Sequence, residues 1–127
     1  MAKIGIVAIG YNRIDSLKRL LESLNRAYYP TSDIELIISI DNSGKDDVVN
    51  FSKSFEWKYG KKTVVTYPER QGLRKHILHC GDFVESFDAI VVLEDDLVVS
   101  PSFYTYAQSV CDKYIDNQDL AGFSLYN

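Results

Sequence analysis

The stretch Ala89-Ile90-Val91-Val92-Leu93-Glu94-Asp95-Asp96-Leu97-Val98-Val99-Ser100-Pro101 constrains this chain more than any other. Five apolar residues in a row, mostly β-branched, make a strand buried on both faces, as strands of a parallel sheet are. Three acids follow at its C-terminal end. Ser100-Pro101 then offers a helix start, because Ser caps well and Pro tolerates the first helical position. In open α/β sheets ligands bind outside the carboxyl ends of the strands, where these acids fall. Three adjacent carboxylates repel one another and need either full solvation or a cation. Hard oxygen donors of this kind suit Mg²⁺ or Mn²⁺, with phosphate oxygens completing the shell. A bare Asp-Asp pair reads most simply as a solvated acidic turn; directly after a buried strand, a metal–phosphate site is favoured.

The rest of the chain alternates in the same way. Ile4 to Ile9 is a first buried strand, and Gly10-Tyr11-Asn12-Arg13 is the turn that leaves it. Ile14, Leu17, Leu20, Leu21 and Leu24 then form a helical stripe, with Asn12 as the expected N-cap and Asp15 in the first turn. Ile34 to Ile40 is a second strand, ending in Asp41-Asn42-Ser43-Gly44; Asp46 to Phe55 is a short helix; Val64-Val65 centres a third strand that stops at Pro68. Gly72 to Phe87 reads as a helix with Leu73, Ile77, Cys80, Val84 and Phe87 facing inward. After the acid-bearing strand, a helix from Pro101 to about Ile115 carries Phe103, Tyr106, Ala107 and Val110 as its core stripe, and Ala121 to Leu125 is a fifth strand. This pattern predicts a single α/β domain over residues 1–127, with a mostly parallel sheet flanked by helices.

Composition narrows the function. A net charge of −4 offers no electrostatic case for nucleic acid or an anionic membrane as main partner. No apolar run is long enough for a transmembrane segment, and Met1-Ala2-Lys3-Ile4 runs straight into a strand, which speaks against a signal peptide. Cys80 and Cys111 are too few and too far apart for a zinc pattern or a disulfide scaffold, so they are expected as buried free thiols in a cytoplasmic protein. The fifth strand has no helix after it to cover the sheet. A piece of a longer enzyme is therefore expected, and the open edge could drive a homodimer.

Chemistry-bearing residues cluster where strands end: Arg13 after the first, Asp41 after the second, Glu94-Asp95-Asp96 after the fourth. Arg70, Arg74 and Lys75 crowd a helix N-terminus that is already positive, which favours a bound anion there. Arg13, Arg74 and Lys75 would meet a diphosphate, Asp41 a base or ribose, and the acid triplet a bridging cation. Taken alone, Arg13 is also an ordinary helix-start residue, Asp41 an Asx turn with Ser43 and Gly44, and Arg74 and Lys75 plain surface charges. Their joint placement favours function. His76 and His79 are expected as partly exposed helix histidines, and Tyr28, Tyr29, Tyr104, Tyr106 and Tyr114 as core and rim packing. There is no phosphate loop with Gly-Lys and no Gly-x-Gly-x-x-Gly after the first strand, which argues against P-loop and dinucleotide enzymes.

Ile9 to Arg13 with Asp15 to Leu24 resembles the opening of GT-A-fold glycosyltransferases, and Ile37 to Gly44 is similar to their second strand with its nucleotide-binding acid. Val91 to Leu97 resembles their Asp-x-Asp metal motif in a Glu-Asp-Asp form. With Val99, Pro101, Phe103 and Tyr104 following, the likeness is closest to the N-acetylglucosaminyltransferase I type and next to family 2. The resemblance implies a Rossmann-like nucleotide-diphospho-sugar transferase fold, a UDP-sugar donor such as UDP-GlcNAc, a glycan or other saccharide acceptor, and Mn²⁺ or Mg²⁺. It implies that Arg13 touches the diphosphate, Asp41 the uracil and Glu94 the donor sugar, that Asp95 serves the ribose or metal shell, and that Asp96 ligates the metal. Arg74 and Lys75 would border the donor. It also implies an inverting reaction whose base lies beyond Asn127, and a full-length enzyme compatible with a peripheral place on a membrane. The alternative is a nucleotide-sugar-binding module without transfer activity.

Overall fold

A computed structural model of the chain describes residues 2–114 and 123–124. Five parallel strands form one sheet in the order β3-β2-β1-β4-β5. They are β1 (Ile4–Gly10), β2 (Leu36–Ile40), β3 (Lys62–Thr66), β4 (Ala89–Glu94) and β5 (Phe123–Ser124). The helices are α1 (Ile14–Arg26), α2 (Asp47–Ser54), α3 (Leu73–Cys80) and α4 (Phe103–Tyr114), with a 3₁₀ segment over Gly81–Ser86. The chain leaves β1 towards β2 and β3 on one side, then returns to place β4 and β5 on the other. The strand order therefore reverses between β1 and β4, the switch point at which open α/β sheets bind their ligands.

β1 is the centre of the sheet, and all seven of its residues are buried. Its side chains alternate between two cores, as a pleated strand requires. Ile4, Ile6 and Ala8 join Leu17, Leu20, Leu21 and Leu24 of α1, Val48 of α2 and Phe103 and Ala107 of α4. Val7 and Ile9 face the other way, onto Ile37, Ile90, Cys80 and Phe87. Each fully buried leucine of α1 contributes about 1.5–3 kcal/mol, so this helix is held by packing more than by its ends. Gly5 is required for a steric reason: a Cβ there would lie 2.7 Å from the Phe87 ring.

Several boundaries differ from expectation. The N-cap of α1 is Arg13, with no side-chain capping bond, rather than Asn12; the Arg13 side chain turns instead to Asp95. β2 starts at Leu36 because Ile34 is engaged elsewhere, its N–H on Tyr59 O and its C=O accepting from Trp57 Nε1 at 2.7 Å. α4 begins at Phe103, after a turn closed by Phe103 N–H on Ser100 O. Its inward stripe is Phe103, Tyr104, Ala107, Gln108 and Cys111, while Tyr106 is exposed. Tyr104 is drawn into an aromatic group around Tyr29, and Gln108 donates to Ala2 O, tying the N-terminal segment to α4. Of the expected fifth strand, Phe123–Ser124 pairs with β4, and its other residues, like Ile115, lie outside the described residues.

The long helix expected from Gly72 to Phe87 stops at Cys80 and continues as the 3₁₀ segment. Gly81, a poor helix former, stands at the break. The inward face of α3 is His76 and Cys80; Leu73, Ile77 and Leu78 are exposed, and Phe87 is buried as expected. The Val84 side chain lies outside the described residues. Cys80 and Cys111 are both buried and free. No helix among the described residues is long and apolar enough to cross a membrane.

Candidate functional site

A cleft of about 300 Å³ opens at the carboxyl ends of β1, β2 and β4, beside the switch point. β1 and β4 run in register with Ile9 opposite Glu94, so the turn after β1 and the acid triplet after β4 share one rim. Arg13, Asp41, Glu94, Asp95 and Asp96 all line this cleft. Residues from three separate parts of the chain thus meet, as their places at strand ends led one to expect.

Arg13 Nη2 donates to Asp95 Oδ1 at 2.7 Å. The pair is lopsided: the Asp95 side chain is 7% exposed and that of Arg13 59%. Burial pushes the Asp95 carboxyl above the usual carboxylate range, and the Arg13 charge only partly opposes this. Glu94 is half-buried and Asp96 exposed, because the turn that follows β4 carries successive side chains in different directions. Among the described residues, no three His, Cys, Asp or Glu side chains converge as a ready-made metal cage. An ion that also takes phosphate oxygens needs only one or two carboxylates, and Asp95 and Asp96 on the cleft wall meet that requirement.

Asp41 is 4% exposed, and its carboxylate organises the base of the cleft. Oδ1 accepts from Asn42 N–H at 2.8 Å and Gln71 N–H at 2.7 Å, and Oδ2 from Gly72 N–H at 3.0 Å. An ionised carboxylate has about four acceptor positions, so one remains. These bonds fasten the turn before α3 onto the end of β2. Gly72 has φ +78° and ψ 156°, a conformation open in practice to glycine alone, and its freedom lets the chain bring two successive N–H groups onto Asp41.

Not every basic residue picked from sequence reaches the site. Arg74 and Lys75 are exposed and do not line the cleft. The helical period decides this: with His76 and Cys80 turned inward, the two preceding positions on α3 point to solvent. The second cation on the cleft is Arg70, whose guanidinium lies 5.2 Å from the centroid of the Tyr11 ring. Arg70 was visible in sequence only as one of three basic residues near this helix start. His76, expected as partly exposed, is 3% exposed and lines the cleft. A helix pattern scored on apolar residues misses a histidine that faces inward.

A parallel, doubly wound sheet with an acid-lined cleft at its switch point is an arrangement suited to binding a nucleotide. Residues 6–114 match the family described as glycosyl transferase family 2, and the chain belongs to that family. It is the second of the two types that the sequence resembles. Among solved structures, the chain is similar to S. aureus TarS 1–349 in complex with UDP, at 14% identity and a TM-score of 0.64 over 88% of this chain and 32% of that one. The same protein in complex with UDP-GlcNAc gives the same values, and S. aureus TarS gives 13% identity and a TM-score of 0.63 over 88% of this chain and 20% of that one. At such identity the likeness is one of fold. The chain spans a third or less of the length of these structures. No curated protein matches it.

Proposed function

We propose that this chain binds a UDP-sugar in the cleft between β1, β2 and β4 and serves as the donor-binding portion of an inverting, metal-dependent glycosyltransferase acting on a saccharide hydroxyl. The convergence of Arg13, Asp41 and the Glu94-Asp95-Asp96 triplet on one cleft carries this reading, and membership of family 2 supports it. UDP-GlcNAc is the donor of first choice: it is the ligand named for one TarS structure of like fold, and Glu94 to Tyr104 resembles the N-acetylglucosaminyltransferase I type. A homodimer through the outer edge of the last strand and a cytoplasmic location belong to the same proposal, and light scattering across a concentration series tests the dimer.

In this reading Arg13 and Arg70 receive the diphosphate, and Asp41 offers its remaining acceptor position to the base. Glu94 faces the donor sugar. Asp95 and Asp96 would hold Mn²⁺ or Mg²⁺, which would supply neutralisation of the charge developing on the departing diphosphate. The largely exposed Arg13 head would leave Asp95 for phosphate oxygens on donor binding, which would free the Asp95 carboxylate. In the transfer itself, a base takes the acceptor hydroxyl proton, the acceptor oxygen bonds to the anomeric carbon, and the bond to the diphosphate breaks on the opposite face, inverting that carbon. No residue of this chain is assigned as that base.

A second reading is a donor-binding module with no turnover of its own, since no residue lining the cleft is assigned as the base. Release of sugar from UDP-GlcNAc by this chain would exclude it. The first test is calorimetric titration of UDP with and without Mn²⁺ on the wild type and Asp96→Ala. Metal-dependent binding, weakened about tenfold or more by the substitution, is expected for a lost carboxylate–metal contact. Failure of the wild type to bind UDP under either condition would refute the reading of the cleft.

A further inference from the structure

At the edge of the sheet opposite the cleft, two buried side chains of α4 carry polar atoms that the fold does not use. Gln108 is 8% exposed, and its amide nitrogen donates to Ala2 O at 3.1 Å and to Asp112 Oδ1 at 2.9 Å. Both partners only accept, which fixes the orientation of the amide and leaves Oε1 over. Tyr104 is 2% exposed, and its hydroxyl makes no hydrogen bond among the described residues. No fully enclosed side-chain nitrogen or oxygen among the described residues lacks a partner. The Gln108 Oε1 and the Tyr104 hydroxyl therefore reach open space instead of being sealed in the core.

Both residues line a groove of about 450 Å³ between α4 and the loop that follows α1, together with Tyr28, Thr105, Ser109 and Asp112. Asp112 Oδ1 already accepts from Ala2 N–H at 2.9 Å and from Gln108, so Oδ2 is the acceptor that remains. Burial, and the Cys111 and Asp112 groups beside it, push the Tyr104 phenol up to about 12, so it keeps its proton and can donate. The Tyr28 ring is 68% exposed, yet its loop is pinned. Tyr28 N–H donates to Pro101 O at 2.8 Å, and the Tyr29 hydroxyl donates to Leu24 O at 2.6 Å. The Tyr29 ring is also packed edge-on against Trp57 and Phe103. A fixed aromatic face beside a few uncommitted polar atoms is the make-up of a ligand site. Here those atoms are mostly acceptors, which suits a ligand rich in hydroxyl donors, and the Asp112 charge disfavours an anion.

We propose that this groove is a second binding site, for a neutral saccharide whose C–H face lies on the Tyr28 ring and whose hydroxyls bond Gln108 Oε1, Asp112 Oδ2 and the Tyr104 hydroxyl. A pyranose offers both surfaces at once, an apolar face of C–H groups for the negative face of a ring and a rim of hydroxyls. The site is remote from the donor cleft. Asp112 is tied to Ala2, just before β1, whereas the cleft opens after Gly10, and the seven residues of β1 separate the two by about 20 Å. A saccharide held here is thus neither the transferred sugar nor the receiving hydroxyl; it is a remote unit of an extended acceptor, tethered so that its reactive end stays near the cleft. That use rests on the glycosyltransferase reading, whereas the binding itself does not.

The test is titration of the chain with maltohexaose, chitohexaose and mannohexaose, followed by amide chemical shifts, for the wild type, Tyr28→Ala, Tyr104→Phe and Asp96→Ala. At least one hexasaccharide should bind saturably and shift the amides of Tyr28, Thr105 and Ser109. Tyr28→Ala, at an exposed position, should weaken that binding about tenfold or more. Tyr104→Phe removes only a hydroxyl that bonds nothing within the protein, so the urea midpoint should hold while saccharide binding falls about tenfold. Asp96→Ala, in the donor cleft, should leave saccharide binding unchanged. Absence of binding by all three hexasaccharides would overturn the proposal, as would full binding in both Tyr28→Ala and Tyr104→Phe. Loss of binding in Asp96→Ala would place the saccharide in the donor cleft and overturn it too. Tetramethylammonium shifting the same amides while the saccharides do not would show a cation site instead. A wild type that binds a hexasaccharide but not UDP would refute the reading of the cleft and leave this site standing.

Discussion

Replacing Asp41 with Asn tests whether one buried carboxylate holds the base of the cleft together. Oδ1 takes two N–H groups and Oδ2 one, so the amide keeps its oxygen at the Oδ1 position and turns its NH₂ towards Gly72 N–H. One charge-assisted bond is lost, worth about 1.5–3 kcal/mol, and the other two become neutral–neutral bonds roughly half as strong. Part of the loss is recovered by relaxation of the turn, so a net destabilisation of about 2–3 kcal/mol is expected, a sizeable fraction of a typical domain's stability. In urea, with a slope of about 1–3 kcal/mol per molar for a domain of this size, the midpoint should fall by roughly 1–2 M. Amide hydrogen exchange gives the local readout: the Gln71 and Gly72 amides should lose protection by more than the central β1 amides do. An unchanged midpoint together with unchanged exchange at Gly72 would refute the anchoring role.

Other outcomes follow from the same structure. Arg13→Ala and Arg70→Ala should each weaken UDP binding by about tenfold or more, whereas Arg74→Ala and Lys75→Ala should change it by no more than about twofold, as titration calorimetry would reveal. Because the folded-state pKa of His76 lies below its unfolded value, the unfolded chain binds more protons between the two. His76 should therefore cost stability as pH falls below about 6.5, and urea midpoints across this range should show a shallower loss in His76→Asn. Asp95 runs the other way: its folded pKa is raised, so its contribution should favour the folded state as pH falls through the window just above the ordinary carboxylate value of about 3.9. Comparison with Asp95→Asn isolates that contribution. Leu20→Ala, at a fully buried position, should lower stability by about 2–5 kcal/mol in chemical denaturation.

Much of the fold was legible because its signals are local. Apolar runs flag strands buried on both faces, the Leu17-Leu20-Leu21-Leu24 spacing flags α1, and acids directly after Leu93 mark a ligand-binding strand end. The candidate site was legible to the same depth, since strand ends of a parallel sheet lie on one edge whatever the strand order. What a local pattern could not supply was the choice between faces of similar polarity. On α3, Leu73 and Ile77 outscore His76 as core residues, yet they are exposed and His76 is buried against Ser39, one turn before Cys80, which faces inward as expected. On α4, Tyr104 displaces Tyr106 because Tyr29 stands beside it.

By itself, then, the sequence determined which segments are strands and helices, that the sheet is parallel, and that Arg13, Asp41 and the acid triplet share an edge; these follow from periodicity and from the geometry of β–α–β connections. Tertiary structure alone decided the strand order that puts the switch point between β1 and β4. It also decided the pairing of Arg13 with Asp95, the capture of Gln71 and Gly72 by Asp41, and the entry of Arg70 and His76 into the cleft in place of Arg74 and Lys75. Each of these depends on a partner distant in sequence. A contact between residues tens of positions apart leaves no periodic trace in the chain, and only packing selects it.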